Sequence, residues 1–409
     1  MNHVIVVGSS LAGLRASETL RVGGYAGRIT MINAETGAPY DRPPLSKRFL
    51  SDNWDDERIA LRKGDDLQSL NIDFKNGVEA TSLHTDTKML GLSNGEQLTY
   101  DGLIIATGCR VRALPGQPSA DNVVMLRTLK DAHQLRGLLA PDAKVLVIGA
   151  GFIGLEVAST AKNLGCEVTV LEGLPAPLIR GLGEQMGSAF AEFHRDKGVD
   201  VRCGVKVEGF VENAGRVTAV VVNGENVEAD VVVVGVGVTP NTEWLEGSGL
   251  TLDNGIVCDA YLNVGVKEVF AAGDVVRWPN AAVGDSAAPE LMRIEHWTNA
   301  VEQGVAAANN LLAVSKGEPT TPFESVPFFW SDQFDKRIQF MGRSHAEDEV
   351  EIIAGSMDEG KLIAAYGHGG RLCGVLGLSM PKPVMLSKAI LASKPSFADG
   401  ISQLKALLA

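Results

Sequence analysis

The stretch Val147-Ile148-Gly149-Ala150-Gly151-Phe152-Ile153-Gly154-Leu155-Glu156 limits most what this chain can fold into. An apolar strand, Lys144 to Ile148, runs into a glycine turn, and a helix is predicted to begin near Phe152. The G-x-G-x-x-G spacing is complete. Gly149 suits the tight turn, Gly151 lets a pyrophosphate approach the backbone, and Gly154 lets helix and strand pack closely. The helix N-terminus offers free N–H groups and a positive dipole end to phosphates. The next strand, Glu167 to Leu171, ends in Glu172, whose carboxylate can accept both hydroxyls of an adenosine ribose. A glycine-rich turn alone would be weak; with both strands and the acid it predicts a dinucleotide site.

The chain states the same theme at its start. His3 to Val7 is an apolar strand, Gly8-Ser9-Ser10-Leu11-Ala12-Gly13 follows, and a helix runs through Leu20. Arg28 to Asn33 is the next strand, closed by Glu35. The middle glycine is replaced by Ser10, whose Cβ crowds a pyrophosphate but whose hydroxyl can donate to it. Two such units imply two dinucleotides, of which a flavin and a nicotinamide are the obvious pair.

Composition narrows the setting. A chain of 409 residues with 45% hydrophobic and 21% charged residues is ordinary for a globular protein of about two to three domains. A net charge of −13 makes it a poor nucleic-acid binder. Strand pattern begins at His3, which argues against a signal peptide, and no apolar run approaches the roughly 20 residues that span a bilayer. Cys109, Cys166, Cys203, Cys258 and Cys373 are far apart in sequence. That spacing excludes C-x-x-C motifs, so no metal ligands are expected, and it suggests reduced thiols in the cytoplasm.

Between and after the two units lie further signals. Pro39 to Lys47 contains Pro43-Pro44, expected to forbid helix and fix an extended loop, with a short helix beginning within Leu45 to Leu50. Its Arg42 and Lys47 can face an anionic ligand, although on their own a solvated surface loop explains them better. The strand from Gly102 exits through Ala106-Thr107-Gly108, and the strand Val231 to Val234 exits through Gly235 to Asn241, which includes Gly237. Val269 to Ala272 leads to Gly273 and Asp274, an acid suited to a sugar-alcohol hydroxyl. Glu295-His296-Trp297 opens a helix running to about Leu312. Strands are expected across 323–378, including Phe329-Trp330-Ser331-Asp332-Gln333, and a helical tail near Ile401 to Leu408.

Taken together these residues resemble the FAD-dependent, NADH-using ferredoxin reductases of oxygenase systems. The likeness covers nearly the whole chain. It rests on both nucleotide motifs, Arg42-Pro43-Pro44-Leu45-Ser46-Lys47, Ala106-Thr107-Gly108, Gly237 to Asn241, Gly273-Asp274 and Phe329 to Gln333. The fold it implies is α/β, with two Rossmann-like dinucleotide-binding domains of glutathione-reductase type and a C-terminal α+β domain. The FAD domain would be 1–110 plus 245–319, the NAD domain 111–244 and the C-terminal domain 320–409. By the same resemblance Glu35 takes the FAD ribose, Asp274 the ribitol, and Arg42 and Lys47 lie along the FAD.

The activity implied is hydride transfer from NADH to the flavin, then single electrons to a [2Fe–2S] ferredoxin that supplies a cytochrome P-450 monooxygenase or a Rieske dioxygenase. Phe152 and Ile153 would line the nicotinamide side, and Lys47 would pair with Glu156 beside the flavin. Trp297 would cover the flavin edge, with Glu295 and His296 beside it and the helix dipole stabilising the reduced ring. No cysteine precedes Gly108, so a redox dithiol beside the flavin is lacking and an external acceptor is favoured. Acidic ferredoxins call for a basic patch, for which Arg293, Lys336, Arg337 and Lys382 are candidates. Glu172 would repel a 2′-phosphate, favouring NADH over NADPH. A rubredoxin reductase, an NADH oxidase and an NADH-sensing binding protein of the apoptosis-inducing-factor type are the rivals. Monomer and homodimer both stay open.

Overall fold

The structure, a computed structural model, describes residues 1–52, 54–283 and 289–408. It forms two compact units. The first comprises Met1–Asp41, Asp56–Arg110 and Thr239–Pro327; the second comprises Arg42–Asp55, Val111–Val238 and Phe328–Ala409. The architecture is α/β, with one Rossmann-like parallel sheet in each unit and a C-terminal α+β segment.

In the first unit five parallel strands stand in the order Val269–Ala271, Gly102–Ile105, His3–Val7, Arg28–Asn33 and Ile72–Asn76. The strands His3–Val7 and Gly102–Ile105 read as continuous apolar runs because a parallel sheet is covered on both faces. Val4, Ile5, Val6, Leu103, Ile104 and Ile105 are buried. The helices Leu11–Val22 and Trp297–Lys316 lie against each other so closely that a Cβ at Gly304 would collide with the Ala12 carbonyl. A three-stranded antiparallel sheet, Ala80–His84, Met89–Leu92 and Gln97–Thr99, adds to the same unit.

In the second unit the parallel order is Asp200–Cys203, Glu167–Glu172, Lys144–Ile148, Val231–Val234 and Val123–Val124. The helix Phe152–Asn163 follows the central strand, where the glycine spacing put it. Its close approach is set by Gly149, at φ +102°, and by Gly154, where a Cβ would collide with the Gly149 carbonyl oxygen. The C-terminal segment is an antiparallel sheet in the order Phe328–Gln333, Lys336–Gly342, Arg371–Leu378, Lys361–His368 and Glu349–Ser356. Two helices follow it, Pro381–Ala392 and Phe397–Ala406.

Two expectations from sequence need correction. Pro43–Ser46 is a short 3-10 helix, not an extended loop, and Arg48–Ser51 continues as a turn of α-helix. Prolines at the first helical positions lose no hydrogen bond, since those N–H groups have no intrahelical partner. The C-terminal helical content is also larger than the tail expected near Ile401, because Pro381 likewise starts a helix instead of preventing one.

The glycines separate packing from ligand approach. Gly154→Ala is expected to lose at least about 1–3 kcal/mol of stability through overpacking against backbone. Gly151→Ala, with nothing within 4 Å of the added Cβ, is expected to lose less than about 1 kcal/mol, the worth of a helix cap. Denaturant unfolding of the two variants checks this contrast.

Candidate functional site

In the first unit three turns meet at the C-terminal ends of neighbouring parallel strands, where open α/β sheets take their ligands. The first is Gly8 to Gly13. A Cβ at Gly8 would strike the Ala106 carbonyl, and one at Gly13 would strike the Gly8 carbonyl. Ser10 is the N-cap of the helix Leu11–Val22, yet its side chain makes no capping bond and the first turn holds no acid. The dipole and first N–H groups are therefore unopposed by protein charge. Leu11 and Ala12 are buried beneath the turn. Glu35 accepts from the Tyr40 hydroxyl at 2.6 Å.

The second turn is Ala106-Thr107-Gly108. Thr107 Oγ1 donates to the Asn241 carbonyl at 2.9 Å, and Asn241 Nδ2 donates back to the Thr107 carbonyl at 2.9 Å. The third is Gly273-Asp274, where the Gly273 N–H donates to Oε1 of buried Gln303 at 2.8 Å. Beside these turns the helix Trp297–Lys316 begins at His296, again with no side-chain cap and no acid in its first turn. Trp297 Nε1 donates to Oδ1 of Asp41 at 2.8 Å. Burial pushes His296 down to about 4, against the opposing pull of Asp274, so its ring is neutral near pH 7. Glu295 is exposed and pairs with Arg293 at 2.7 Å.

In the second unit the turn Gly149–Gly154 repeats the pattern. Gly151 caps the helix without a side chain, and no acid sits in the first turn. Glu172 braces this turn: Oε2 accepts from the Ala150 N–H at 2.8 Å and Oε1 from the Leu174 N–H at 2.9 Å. Gly237 adopts φ +109° with open space where a Cβ would stand. Ile153 is 47% exposed at the helix start, and Phe152 meets Phe329 edge-to-face at 4.7 Å.

One helical turn deeper lies a buried polar chain. Lys47 Nζ stands 2.7 Å from Oε2 of Glu156, with side chains 15% and 5% exposed. The same Oε2 accepts from Ser46 Oγ at 2.5 Å, and Oε1 accepts from Ser331 Oγ at 2.6 Å. Gln333 Nε2 donates to Ser331 Oγ at 3.1 Å, and His194 Nε2 donates to Gln333 Oε1 at 2.8 Å. The amide orientation assigns the proton to His194 Nε2, so its buried Nδ1 is bare. Burial holds His194 down to about 4. Arg42, on the same loop as Lys47, donates to the Arg127 carbonyl at 2.6 Å.

Lys47 and Glu156 were read from sequence. Ser46, Ser331, Gln333 and His194 were not. The available signal was the strand period of two, which puts Ser331 and Gln333 on one face of Phe328–Gln333. The basic candidates separate. Arg293 is only 11% exposed, held by Glu295, the Asp274 carbonyl and Cys109, which corrects its reading as a surface cation. Lys336 pairs with Asp335 at 3.0 Å and Arg337 with Asp332 at 2.7 Å, while Lys382 is exposed on its helix.

Two uncapped, acid-free helix starts, each behind a glycine turn too tight for side chains and each followed by a strand-end acid, fit two dinucleotides. The comparisons agree. Residues 2–304 match the family model "Pyridine nucleotide-disulphide oxidoreductase", and residues 328–407 match "Reductase C-terminal". This chain belongs to the pyridine nucleotide-disulphide oxidoreductase family, as an oxidoreductase using FAD and NAD(H). It is 37% identical to rhodocoxin reductase of Rhodococcus erythropolis, over 96% of this chain and 90% of the relative. It is 33% identical to the ferredoxin–NAD(+) reductase component of the anthranilate 1,2-dioxygenase system of Burkholderia cepacia, over 95% and 94%. The reductase in the crystal structure of the covalent putidaredoxin reductase–putidaredoxin complex superposes with a TM-score of 0.91 at 32% identity, over 99% of both chains.

Removing Lys47 strands a buried carboxylate. Lys47→Met is expected to cost about 3–5 kcal/mol, and Lys47→Met with Glu156→Leu less than the sum of the single changes; denaturant unfolding of the double-mutant cycle measures this. His194 titrates near 6.5 when unfolded and near 4 when folded. Its contribution is therefore complete above pH 6.5 and is lost as pH falls through about 4. Unfolding free energies across that window should decline in the wild type and decline less in His194→Phe.

Proposed function

We propose that this chain is an NADH-dependent ferredoxin reductase that feeds single electrons to a [2Fe–2S] ferredoxin serving a cytochrome P-450 monooxygenase or a Rieske dioxygenase. The observation that carries the reading is two dinucleotide turns in a chain without a redox dithiol. No cysteine precedes Gly108, and no disulfide joins any of the five cysteines. A family that elsewhere reduces disulphides must here send its electrons outward.

FAD, when bound, supplies the chemistry: it accepts hydride from NADH and releases electrons one at a time. The protein's share is binding, alignment and charge. The FAD-binding part is taken as 1–110 and 245–319, the NAD-binding part as 111–244, and the C-terminal part as 320–409. Gly8, Ser10, Leu11, Ala12 and Gly13 would hold the FAD pyrophosphate on backbone N–H groups, with Glu35 on the ribose and Asp274 on the ribitol. Ala106, Thr107, Gly108, Gly273 and Arg42 would line the same ligand. The uncapped helix behind His296 would put its dipole at the flavin, with Trp297 fixed by Asp41 and Glu295 at the rim.

Gly149, Gly151 and Gly154 would take the NADH pyrophosphate, with Phe152, Ile153 and Gly237 around the nicotinamide end. Glu172 would accept the ribose hydroxyls with its remaining lone pairs and repel a 2′-phosphate. Glu156, held by Lys47, Ser46 and Ser331, is a carboxylate whose direction is fixed before substrate arrives. That rigidity suits the alignment of two rings for hydride transfer. Exposed Lys382 remains a docking candidate for an acidic ferredoxin, with Lys336 and Arg337 adding charge only where their acidic neighbours release them. Such a reductase works in the cytoplasm, where NADH is made.

NADH-driven cytochrome c reduction by the FAD-loaded protein should depend strongly on added [2Fe–2S] ferredoxin; fast NADH oxidation indifferent to ferredoxins would point to an oxidase. Glu172→Gln should lower the NADH-over-NADPH ratio of kcat/KM about tenfold, the worth of one charge-assisted hydrogen bond. An unchanged ratio would refute the role of Glu172.

A further inference from the structure

Outside the nucleotide machinery, the C-terminal sheet gathers four side chains of one chemical kind. His345 and Asp348 lie on the loop after the strand Lys336–Gly342. His368 ends the strand Lys361–His368, and Cys373 lies in Arg371–Leu378. Cys373 Sγ is 3.4 Å from Oδ2 of Asp348. His345 Nδ1 is 3.3 Å from Oδ1, and His368 Nδ1 is 2.9 Å from the same oxygen. The Asp348 side chain is 2% exposed. His345 Nδ1 is buried, with that Asp348 oxygen as its polar neighbour. One donor atom each from His345, Asp348 and Cys373 fall within 4.8 Å of one another.

The backbone is shaped to bring them together. Gly367 pairs with Leu372 and Tyr366 with Gly374, which leaves Cys373 as the extra residue of a β-bulge. Bulges re-aim a side chain and are frequent beside functional sites. The His345 N–H donates to Oδ2 of Asp348 at 2.7 Å, folding the loop back on its own carboxylate. The His345 and His368 rings stack at 4.0 Å, which fixes the plane of His345.

We propose that His345, Asp348 and Cys373 bind one divalent transition-metal ion of the zinc type. A borderline-soft ion takes nitrogen, sulfur and oxygen together, whereas calcium and magnesium want oxygen alone. Bonds of about 2.0–2.3 Å in a tetrahedron set donor atoms roughly 3.3–3.8 Å apart; Cys373 and His345 stand 3.4 and 3.3 Å from different oxygens of Asp348, and one donor atom from each residue lies within 4.8 Å of the others, so the side chains draw in slightly to close on an ion. Three protein ligands leave the fourth position to water. His368 is the outer partner that orients the Asp348 carboxylate. Burial and the neighbouring Asp348 carboxylate push the Cys373 thiol up, against the pull of Arg343, so the ion itself must displace the thiol proton. Loading releases the Cys373 proton to solvent. The bound ion would fasten the loop 343–348 to the hairpin 361–378.

The FAD-loaded protein is dialysed against zinc alone, and bound metal is counted per chain by elemental analysis. One zinc per chain is expected, with affinity falling at least about a hundredfold in Cys373→Ser and His345→Ala and about 10–100-fold in His368→Ala. Cobalt(II) should give a thiolate-to-metal charge-transfer band in the difference spectrum that Cys373→Ser lacks. Flavin absorbance and thermal unfolding report whether each variant is folded; should one misfold, the wild-type stoichiometry and cobalt band still decide. No stoichiometric zinc in the wild type, or equal affinity in both ligand variants, overturns the proposal.

Discussion

The second unit is arranged around one buried carboxylate. Glu156 lies on the helix that follows the glycine turn, and its side chain is only 5% exposed. An ionised group in that position is tolerable only when protein supplies its counter-charge and donors. Three side chains from two separate stretches answer that demand: Lys47 and Ser46 from the Pro43–Ser51 segment, and Ser331 from the first strand of the C-terminal sheet. The consequence runs on through Gln333 to His194, whose neutral ring ends the chain of donors. Segments more than a hundred residues apart are thus tied to a single charge.

The glycine turns state the same principle in backbone. Carbonyl oxygens occupy the space where side chains would begin at Gly8, Gly13 and Gly154. This packs each helix start closely on its strand, with no side-chain cap and no acid in its first turn. The two units share the device but differ in their acids. Glu172 is engaged with its own glycine turn through Ala150, whereas Glu35 is held from outside by Tyr40. The first acid is tied to the backbone of its own turn; the second is bonded to a side chain outside its turn.

Much of this was legible in the sequence because it is local. Strand, glycine turn, helix and acid follow one another within about thirty residues, and both nucleotide units lie where that order put them. The FWSDQ stretch marked the C-terminal sheet, although not the inward role of Ser331 and Gln333. What escaped was either contextual or long-range. Pro43-Pro44 and Pro381 begin helices, since proline breaks a helix only in its interior. Arg293 looked like a surface cation, but Glu295, two residues on, and the Asp274 carbonyl hold it inside. The His345, Asp348 and Cys373 cluster could not be seen from C-x-x-C spacing, because a bulge and a returning loop, not sequence proximity, assemble it.

The donor that Ser331 gives to Glu156 has an implication for how such chains can be recombined. The region from Phe328 onward matches its own family model and invites treatment as an exchangeable module. Yet its first strand completes the solvation of a charge that belongs to the helix Phe152–Asn163. A chimera that replaced this region would have to preserve a hydroxyl at one strand position and an amide two residues later, or inherit a bare anion in its core. The junction between the modules is therefore chemical as well as covalent.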